Sequence, residues 1–482
     1  MRTVYLATDM HFHAFCIQTP FLSFFLYSMN RGTLQIVIKL STTSSKIVYV
    51  ENYDNLPFFP TFFSARFAKE TMNKTSTIII MKLLPLFAAS GVLAQTLQCP
   101  QNIHRQASAM IASNIARNQG AAASSSGTGL IELGIFYQAL RESIAATNNT
   151  ADKQQWTSYL QNSVASAIPL FTNITASVGL PLDRLSIGTE MIHQWEETGD
   201  ESLASAISAL QDSLVEQPRN ANRGLWYYDN RNNITAYRNL SYTDGMYSYP
   251  SFAVLSSPAN QTRNSDIFGP VAVQKQLEIL SFVCDDGTGL LVHGYDALRA
   301  HSWANPETGA SSSVWGRSLA WYTLGVLNTI EVLQSLPSSF MTLEAKIAYI
   351  NMKLLSTNLI KAQLIALERG LQINGKYSVW QVVDLPGASI NGSKNFVETS
   401  ASLMTAYSLL RSVRLDILPN TQLRDKASKA GVGLWKNIFE TQVNCGENGT
   451  LDLGGTSSIA SLSGQGVNAK VSHVLLLTNG KC

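Results

Sequence analysis

The chain has 482 residues, 45 % of them hydrophobic and 14 % charged, with a formal net charge of +2. That composition can bury a large core, and the near-balanced charge argues against nucleic acid or a polyanion-coated surface as partner. An anionic substrate would have to be met by local Arg and Lys.

The first eighty residues differ from the remainder: they are Phe-rich, lack a clean helical period and hold no uninterrupted apolar run long enough to span a membrane. At Met81 the character changes. Met81-Lys82, the apolar run LLPLFAASGVLA and small residues up to Ala94 form the pattern of a secretory signal peptide, too short in its apolar core to be a stable anchor. The expectation is a gene-model extension over 1–80, a signal peptide over 81–94, and one domain over 95–482 of a secreted, extracellular protein. Sequons at Asn148, Asn173, Asn233, Asn239, Asn260, Asn391 and Asn448 support secretion and glycosylation. Beyond the signal stand Cys99, Cys284, Cys445 and Cys482; in an oxidising compartment they allow three complete pairings, and their spacing does not resemble a zinc site.

From Gln95 onward, helix follows helix. IHRQASAMIASNIARN, GLIELGIFYQALRESIAA, DKQQWTSYLQNSVASAI, DRLSIGTEMIHQWEETG and ESLASAISALQDSLVEQ carry apolar residues at helical spacing, separated by Gly, Ser and Asn clusters. After a Gly- and Asn-rich stretch come DGMYSYPSFAVLSS, VAVQKQLEILSFV, SVWGRSLAWYTLGVLNTIEVLQ, LEAKIAYINMKLLSTNLIKAQ, VETSASLMTAYSLLRSV and QLRDKASKAGVGLWKNIFETQV. Extended segments are short: LLVHG, YSVWQVV and TLDLG. Helical hairpins in series with brief strands in the connections fit a toroid that buries one helix layer inside another. There is no GxGxxG, P-loop, G-x-S-x-G or HExxH, so nucleotide chemistry, serine hydrolysis and zinc proteolysis lose their usual support. No metal or organic cofactor is indicated. Chemistry must rest on carboxylates and aromatic residues.

The densest collection of such residues runs from Gly289 to Trp321. Ser311, Ser312 and Ser313 are N-cap candidates for the helix that follows. Within it Arg317 and Trp321 are four residues apart and share a face. A Trp on a helix is more often core, and an Arg more often a surface charge. Aromatic planes beside a guanidinium nevertheless suit a sugar ring that carries a carboxylate.

The run His293-Gly-Tyr-Asp296, then Trp303-Ala-Asn-Pro-Glu-Thr-Gly309, then Trp315-Gly-Arg317 with Trp321, resembles the signature of the unsaturated rhamnogalacturonyl hydrolases, glycoside hydrolase family 105. The resemblance implies an (α/α)6 barrel of six hairpins. It also implies hydration of the C4=C5 double bond that a lyase leaves in the non-reducing-end uronic acid of pectic rhamnogalacturonan. Asp244-Gly245-Met246-Tyr247 with Pro250 and Phe252-Ala253 keeps the frame of the family's catalytic Asp; Leu182-Asp183, Gly188 and Thr198-Gly199-Asp200 keep a second segment. Each Asp could otherwise be an ordinary N-cap. The resemblance thus makes Asp244 and Asp183 catalytic and gives substrate contact to His293, Trp315, Arg317, Trp321 and Trp380, with Glu398 orienting a loop. A second carboxylate would raise the pKa of Asp244 and a helix N-terminus would lower it; a barrel floor lined with Trp and Tyr favours the raised value.

Three departures stand out. Relatives carry a His after Gly-(Phe/Leu)-Trp where this chain has Tyr227 and Tyr228. The early Trp of the first barrel helices has no counterpart. The tail after Gly454 is short, which leads to the expectation of an incomplete C-terminal end. Competing readings are an unsaturated glucuronyl hydrolase, a catalytically inactive carbohydrate-binding toroid, and a uronate lyase on the same toroid. The expected partner is the oligosaccharide alone, with no nucleic acid, no membrane after signal cleavage, and the protein a monomer or weak dimer.

Overall fold

The early stretch without a helical period has the two-residue period of strands. In Thr33–Thr42, Leu34, Ile36, Ile38 and Leu40 alternate with their neighbours. The computed structural model describes residues 13–19, 22–29, 33–42, 45–53, 102–122, 129–228, 238–257, 266–390, 393–446, 449–457, 462 and 471–472. The chain divides into two units, Met1–Ala94 and Gln95–Cys482. In the first, β1 (His13–Thr19), β2 (Leu22–Met29), β3 (Thr33–Thr42) and β4 (Ser45–Tyr53) form an antiparallel meander in that order. The expected signal peptide over 81–94 lies outside the described residues, as do most of the tail after Gly454 and the sequons Asn233, Asn260, Asn391 and Asn448.

The second unit is helical. Its long helices are α1 (Ile103–Ala116), α2 (Gly129–Ala146), α3 (Thr150–Ala167), α4 (Arg184–Thr198), α5 (Glu201–Val215), α6 (Gly245–Leu255), α7 (Pro270–Cys284), α8 (Gly316–Ser335), α9 (Leu343–Asn374), α10 (Thr399–Arg414) and α11 (Thr421–Gln442). The inner layer is α2, α4, α6, α8 and α10, each packed on the next. Arg411 of α10 reaches Glu142 of α2 at 3.1 Å and joins the two ends of that series. Each inner helix pairs with the helix that follows it, giving the hairpins α2/α3, α4/α5, α6/α7, α8/α9 and α10/α11. On the outside, Trp435 of α11 donates to Gln106 of α1 at 3.3 Å. Two concentric helical layers make this the six-hairpin (α/α)6 toroid, with five hairpins among the described residues.

The inner helices are apolar over most of their surface because both sides of the layer are covered. Every residue of α6 from Gly245 to Val254 is buried, as is nearly all of the first half of α8. The two approach so closely that a Cβ at Gly325 would stand 1.7 Å from the carbonyl oxygen of Met246. All five inner helices run in one direction. Asp183, Asp244, Arg317 and Glu398 gather where they begin, Glu331 and Arg411 toward where they end, and Glu190 half-way along α4.

Three local expectations are corrected. Helix α8 starts at Gly316, after Ser311–Ser313, and its cap position is Trp315, without a side-chain cap. The Gly316 amide is met instead by Gln381 O at 2.9 Å, so the loop strand replaces a serine cap. Helix α9 continues eleven residues past Gln363 through good helix formers to a left-handed Gly375 (φ 70°). Cys284 is buried and free while Cys445 is disulfide-bonded, which rules out every pairing that uses all four cysteines; Cys99 and Cys482 lie outside the described residues.

Candidate active site

Asp183 and Asp244 stand at the N-cap positions of α4 and α6, yet neither side chain caps its helix. Capping residues adopt extended backbone, as Asp200 does when its carboxylate accepts from Ser202 N at 2.9 Å. Asp183 (φ −53°, ψ −29°) and Asp244 (φ −56°, ψ −41°) are already helical, and that turns their side chains away from the amides they would serve. Ordinary capping is the role these two do not play.

Asp183 is 1 % exposed; its Oδ2 accepts from the Tyr227 hydroxyl at 2.6 Å, and its Oδ1 accepts no hydrogen bond among the described residues. Burial pushes its carboxyl well above the usual range. The Tyr227 hydrogen bond works against this, while the charges of Asp244 and Glu132 add to it. Tyr227 is held by backbone bonds on both sides, Tyr227 N to Leu240 O and Leu182 N to Tyr227 O, each 2.9 Å. This is the tyrosine that follows Gly224-Leu225-Trp226, so the departure from the family's His supplies a hydroxyl to the buried carboxyl.

Asp244 has another neighbour. His293 Nε2 stands 3.2 Å from Asp244 Oδ2, a close ion contact when the ring is protonated. The backbone fixes this meeting: Thr243 N and Oγ1 both donate to His293 O, at 3.0 and 2.9 Å, next to the pairing of β5 (Leu240–Tyr242) with β6 (Gly294–Asp296). Burial works to raise the Asp244 carboxyl. Attraction to His293, hydrogen bonding to His293 and Ser318, and the charge of Arg317 outweigh it and hold the group below the usual range. The expected raised value belongs to Asp183 instead. The reason is a histidine forty-nine residues away in sequence, delivered by a two-strand pairing.

Around these groups lies an aromatic wall. Tyr227 meets Tyr228 edge-on with centroids 4.6 Å apart and Tyr242 at 4.8 Å; His293 meets Tyr242 at 5.2 Å and Trp315 at 6.4 Å, both edge-on. The structure therefore brings Asp183, Asp244, His293 and Trp315 together. Arg317 is close enough to act on Asp244, but its Nη1 is engaged by Glu398 at 3.4 Å and by Ser457 O at 2.5 Å. Glu398 is buried, caps α10 through Ala401 N, and accepts from Ser457 N at 2.9 Å. Trp321 points deeper, against Tyr247 at 4.7 Å, in an apolar cluster with Ile131, Leu324 and Met404. Trp380 is buried beside Gly370 of α9, among Leu367, Val379 and Val383. Neither Trp321 nor Trp380 touches the aspartates among the described contacts. Glu132, in the first turn of α2, is a third carboxyl near this mouth: burial raises it, Arg317 opposes the rise, and its charge acts on Asp183. Nothing in the sequence separated it from an acidic residue placed to suit a helix start.

A buried carboxyl and a half-buried one, displaced in opposite directions under an aromatic wall inside a helical toroid, suit acid–base cleavage of a carbohydrate. The profile of Glycosyl Hydrolase Family 88 matches residues 130–471, and the chain belongs to that family. It is a glycoside hydrolase with an oligosaccharide substrate. Protein Atu3128 of Agrobacterium fabrum is 32 % identical over 180 residues, 37 % of this chain and 68 % of that protein. Among solved structures, a family 105 glycoside hydrolase of C. acetobutylicum ATCC 824 superposes with a TM-score of 0.57 at 23 % identity, covering 74 % of this chain and 88 % of that one. An unsaturated glucuronyl hydrolase specific for heparin superposes with a TM-score of 0.51 at 12 % identity, covering 74 % and 90 %.

Proposed function

We propose that this enzyme releases the unsaturated uronic acid from the non-reducing end of lyase-generated pectic rhamnogalacturonan oligosaccharides, by hydrating its C4=C5 bond. One observation carries the reading: two aspartates at helix starts that cap nothing, the buried Asp183 on a tyrosine hydroxyl and the half-buried Asp244 against a histidine. Asp183 retains its proton and delivers it to C4. Asp244 is ionised and takes a proton from the water that bonds to C5. The hemiketal then breaks its C5–O5 bond to a ketone: its hydroxyl proton passes to Asp183 and restores the acid, while the proton on Asp244 goes to the ring oxygen. The new hemiacetal at C1 expels the remaining chain as an alcohol and leaves an aldehyde. Arg317 Nε and Nη2, which make no hydrogen bond among the described residues, suit the uronate carboxylate, and the half-buried Tyr242 suits a ring face; the predicted Trp315, 1 % exposed, backs His293 instead of offering a face.

The likeness to a heparin-specific unsaturated glucuronyl hydrolase favours a second reading, the same chemistry on other lyase products. Following ultraviolet absorbance of the conjugated bond on both kinds of unsaturated oligosaccharide separates the two. A higher kcat/KM on rhamnogalacturonan fragments supports the first reading, and a higher value on glucuronyl fragments supports the second. Absorbance rising on intact polymer would make the protein a lyase, and no change would make it a binding module. We also propose secretion, supported by the signal pattern and by exposed sequons at Asn148 and Asn173. Intact mass before and after deglycosylation of the secreted protein tests this, and a peptide from residues 1–80 would contradict the start at Met81.

A further inference from the structure

The tyrosine hydroxyl on Asp183 belongs to a ring of hydrogen bonds that closes through the segment following α5. Gln217 lies two residues past the end of that helix and is 3 % exposed. Its Oε1 accepts from Arg184 Nη2 at 2.8 Å, and its Nε2 donates to Trp226 O at 2.9 Å. Arg184 is the residue after Asp183, and Trp226 the residue before Tyr227. One amide thus ties together the two segments that carry the acid and its hydroxyl partner. The Tyr227 hydroxyl donates to Asp183 Oδ2 at 2.6 Å and completes the ring.

Both neighbours of Gln217 are themselves fixed. Arg184 is fully buried: its Nη1 donates to Leu180 O and Pro181 O at 3.0 and 3.2 Å, the carbonyls that lead into Asp183. Its Nε donates to Ser213 Oγ at 3.1 Å and its Nη2 to Ser213 O at 3.3 Å, which joins α4 to α5. Trp226 N donates to Pro218 O at 3.0 Å, so Gln217 and Pro218 together take both backbone groups of Trp226. A guanidinium can only donate and a carbonyl can only accept; a side chain set between them must do the opposite to each, as an amide does. Tyr227 is the donor that Asp183 has among the described residues. A hydrogen bond to the ionised carboxyl favours that form, and its strength falls steeply with distance and angle. The placement of the hydroxyl therefore bears on how readily Asp183 gives up its proton, alongside burial and the charges of Asp244, Glu132 and Arg184.

We infer that Gln217 is a positioning residue for the reaction, which holds Arg184 and Trp226 together and so sets the Tyr227 hydroxyl on Asp183. This rests on Asp183 as the proton donor.

The test follows the Asp183 carboxyl-carbon resonance by NMR from about pH 4 to about pH 9, assigned by its absence from Asp183→Asn. Wild type, Gln217→Met, Tyr227→Phe and the double variant are compared, each first shown to melt cooperatively. Met keeps the length of the side chain and removes both hydrogen-bonding functions. The titration midpoint is expected to move up by about half a pH unit in Gln217→Met and at least as far in Tyr227→Phe, with no further rise in the double variant. On unsaturated oligosaccharide, kcat of Gln217→Met should fall about fivefold with KM changed by less than about twofold. Should Gln217→Met fail to fold, Gln217→Asn, too short to span both partners, carries the same comparison. An unmoved or lowered midpoint, a rise of the same size in the Tyr227→Phe background, or an unchanged kcat overturns the inference. A wild type that leaves the conjugated absorbance unchanged, while the midpoints move as expected, would overturn the proposed function and leave Gln217 as the holder of the Asp183–Tyr227 pair.

Discussion

At the mouth where the inner helices begin, Asp183 and Asp244 occupy cap positions without capping, and only Asp244 is set against a histidine. Deeper in the barrel and toward the ends of the same helices, Glu190, Glu142 and Glu331 each meet a guanidinium, and Arg411 bridges the last two. Carboxylates at a helix start are already favoured by the dipole, and cations likewise at a helix end. The far side uses that preference for Arg411 and Arg414 in the last turn of α10 and satisfies its charges pairwise. The near mouth withholds it from Asp183, whose burial is met by a neutral hydroxyl. The difference is one of pairing: the carboxylates of the far side are matched by guanidinium groups, whereas Asp183 is buried against a hydroxyl and its carboxyl is pushed up.

The largest effect should come from erasing the contrast at the near mouth. Asp244→Asn removes the ionised partner and Asp183→Asn the stored proton; each is expected to lower kcat about 10^3-fold without loss of folding. In Asp183→Asn, urea unfolding at neutral pH should show a more stable protein, since an amide there needs no proton taken up on folding. Near-normal turnover in either variant would return that residue to a structural role.

The paired carboxylates can be tested through stability. Glu190 is raised from an ordinary 4.5 to about 7, by burial ahead of the opposing attraction to Arg141. Between those values the unfolded chain has released a proton that the folded chain retains. Stability therefore falls as pH rises through this window, by at most about 3 kcal/mol. Glu190→Gln cannot ionise and should flatten that decline in urea unfolding between pH 4 and pH 8; a slope identical to wild type would contradict it.

Two smaller effects sharpen the near mouth. Arg317→Lys retains the charge but not the planar fork that spans Glu398, Ser457 and a substrate carboxylate; about tenfold lower kcat/KM is expected, and unchanged kinetics would leave Arg317 purely structural. Tyr227→Phe removes the hydrogen bond that lowers Asp183, so the alkaline limb of the pH–rate profile should move upward, with about 1 kcal/mol of stability lost.

Most of the helical order was legible because apolar periodicity follows burial directly: α2 begins and ends where its period does. The two aspartates were legible through the frames around them. What escaped depends on distant partners. Tyr227 stood out only as a missing histidine, because nothing local says that its hydroxyl meets a carboxyl forty-four residues earlier. An aromatic floor favours a raised Asp244; it falls instead because His293 is brought to it by a strand pairing that no single segment encodes. Trp321 shares a face with Arg317, yet four residues carry it about 6 Å further along the helix, beside Tyr247.

The pH dependence of kcat/KM, followed by loss of the conjugated absorbance, tests the division of labour between the aspartates most directly, since it reports the groups of the free enzyme. An acid limb below the ordinary carboxylate range, from Asp244, and an alkaline limb well above it, from Asp183, are expected, with the alkaline limb absent from the residual activity of Asp183→Asn. A profile that collapses as pH rises through the ordinary carboxylate range, or an alkaline limb that survives Asp183→Asn unchanged, would contradict Asp183 as the proton donor.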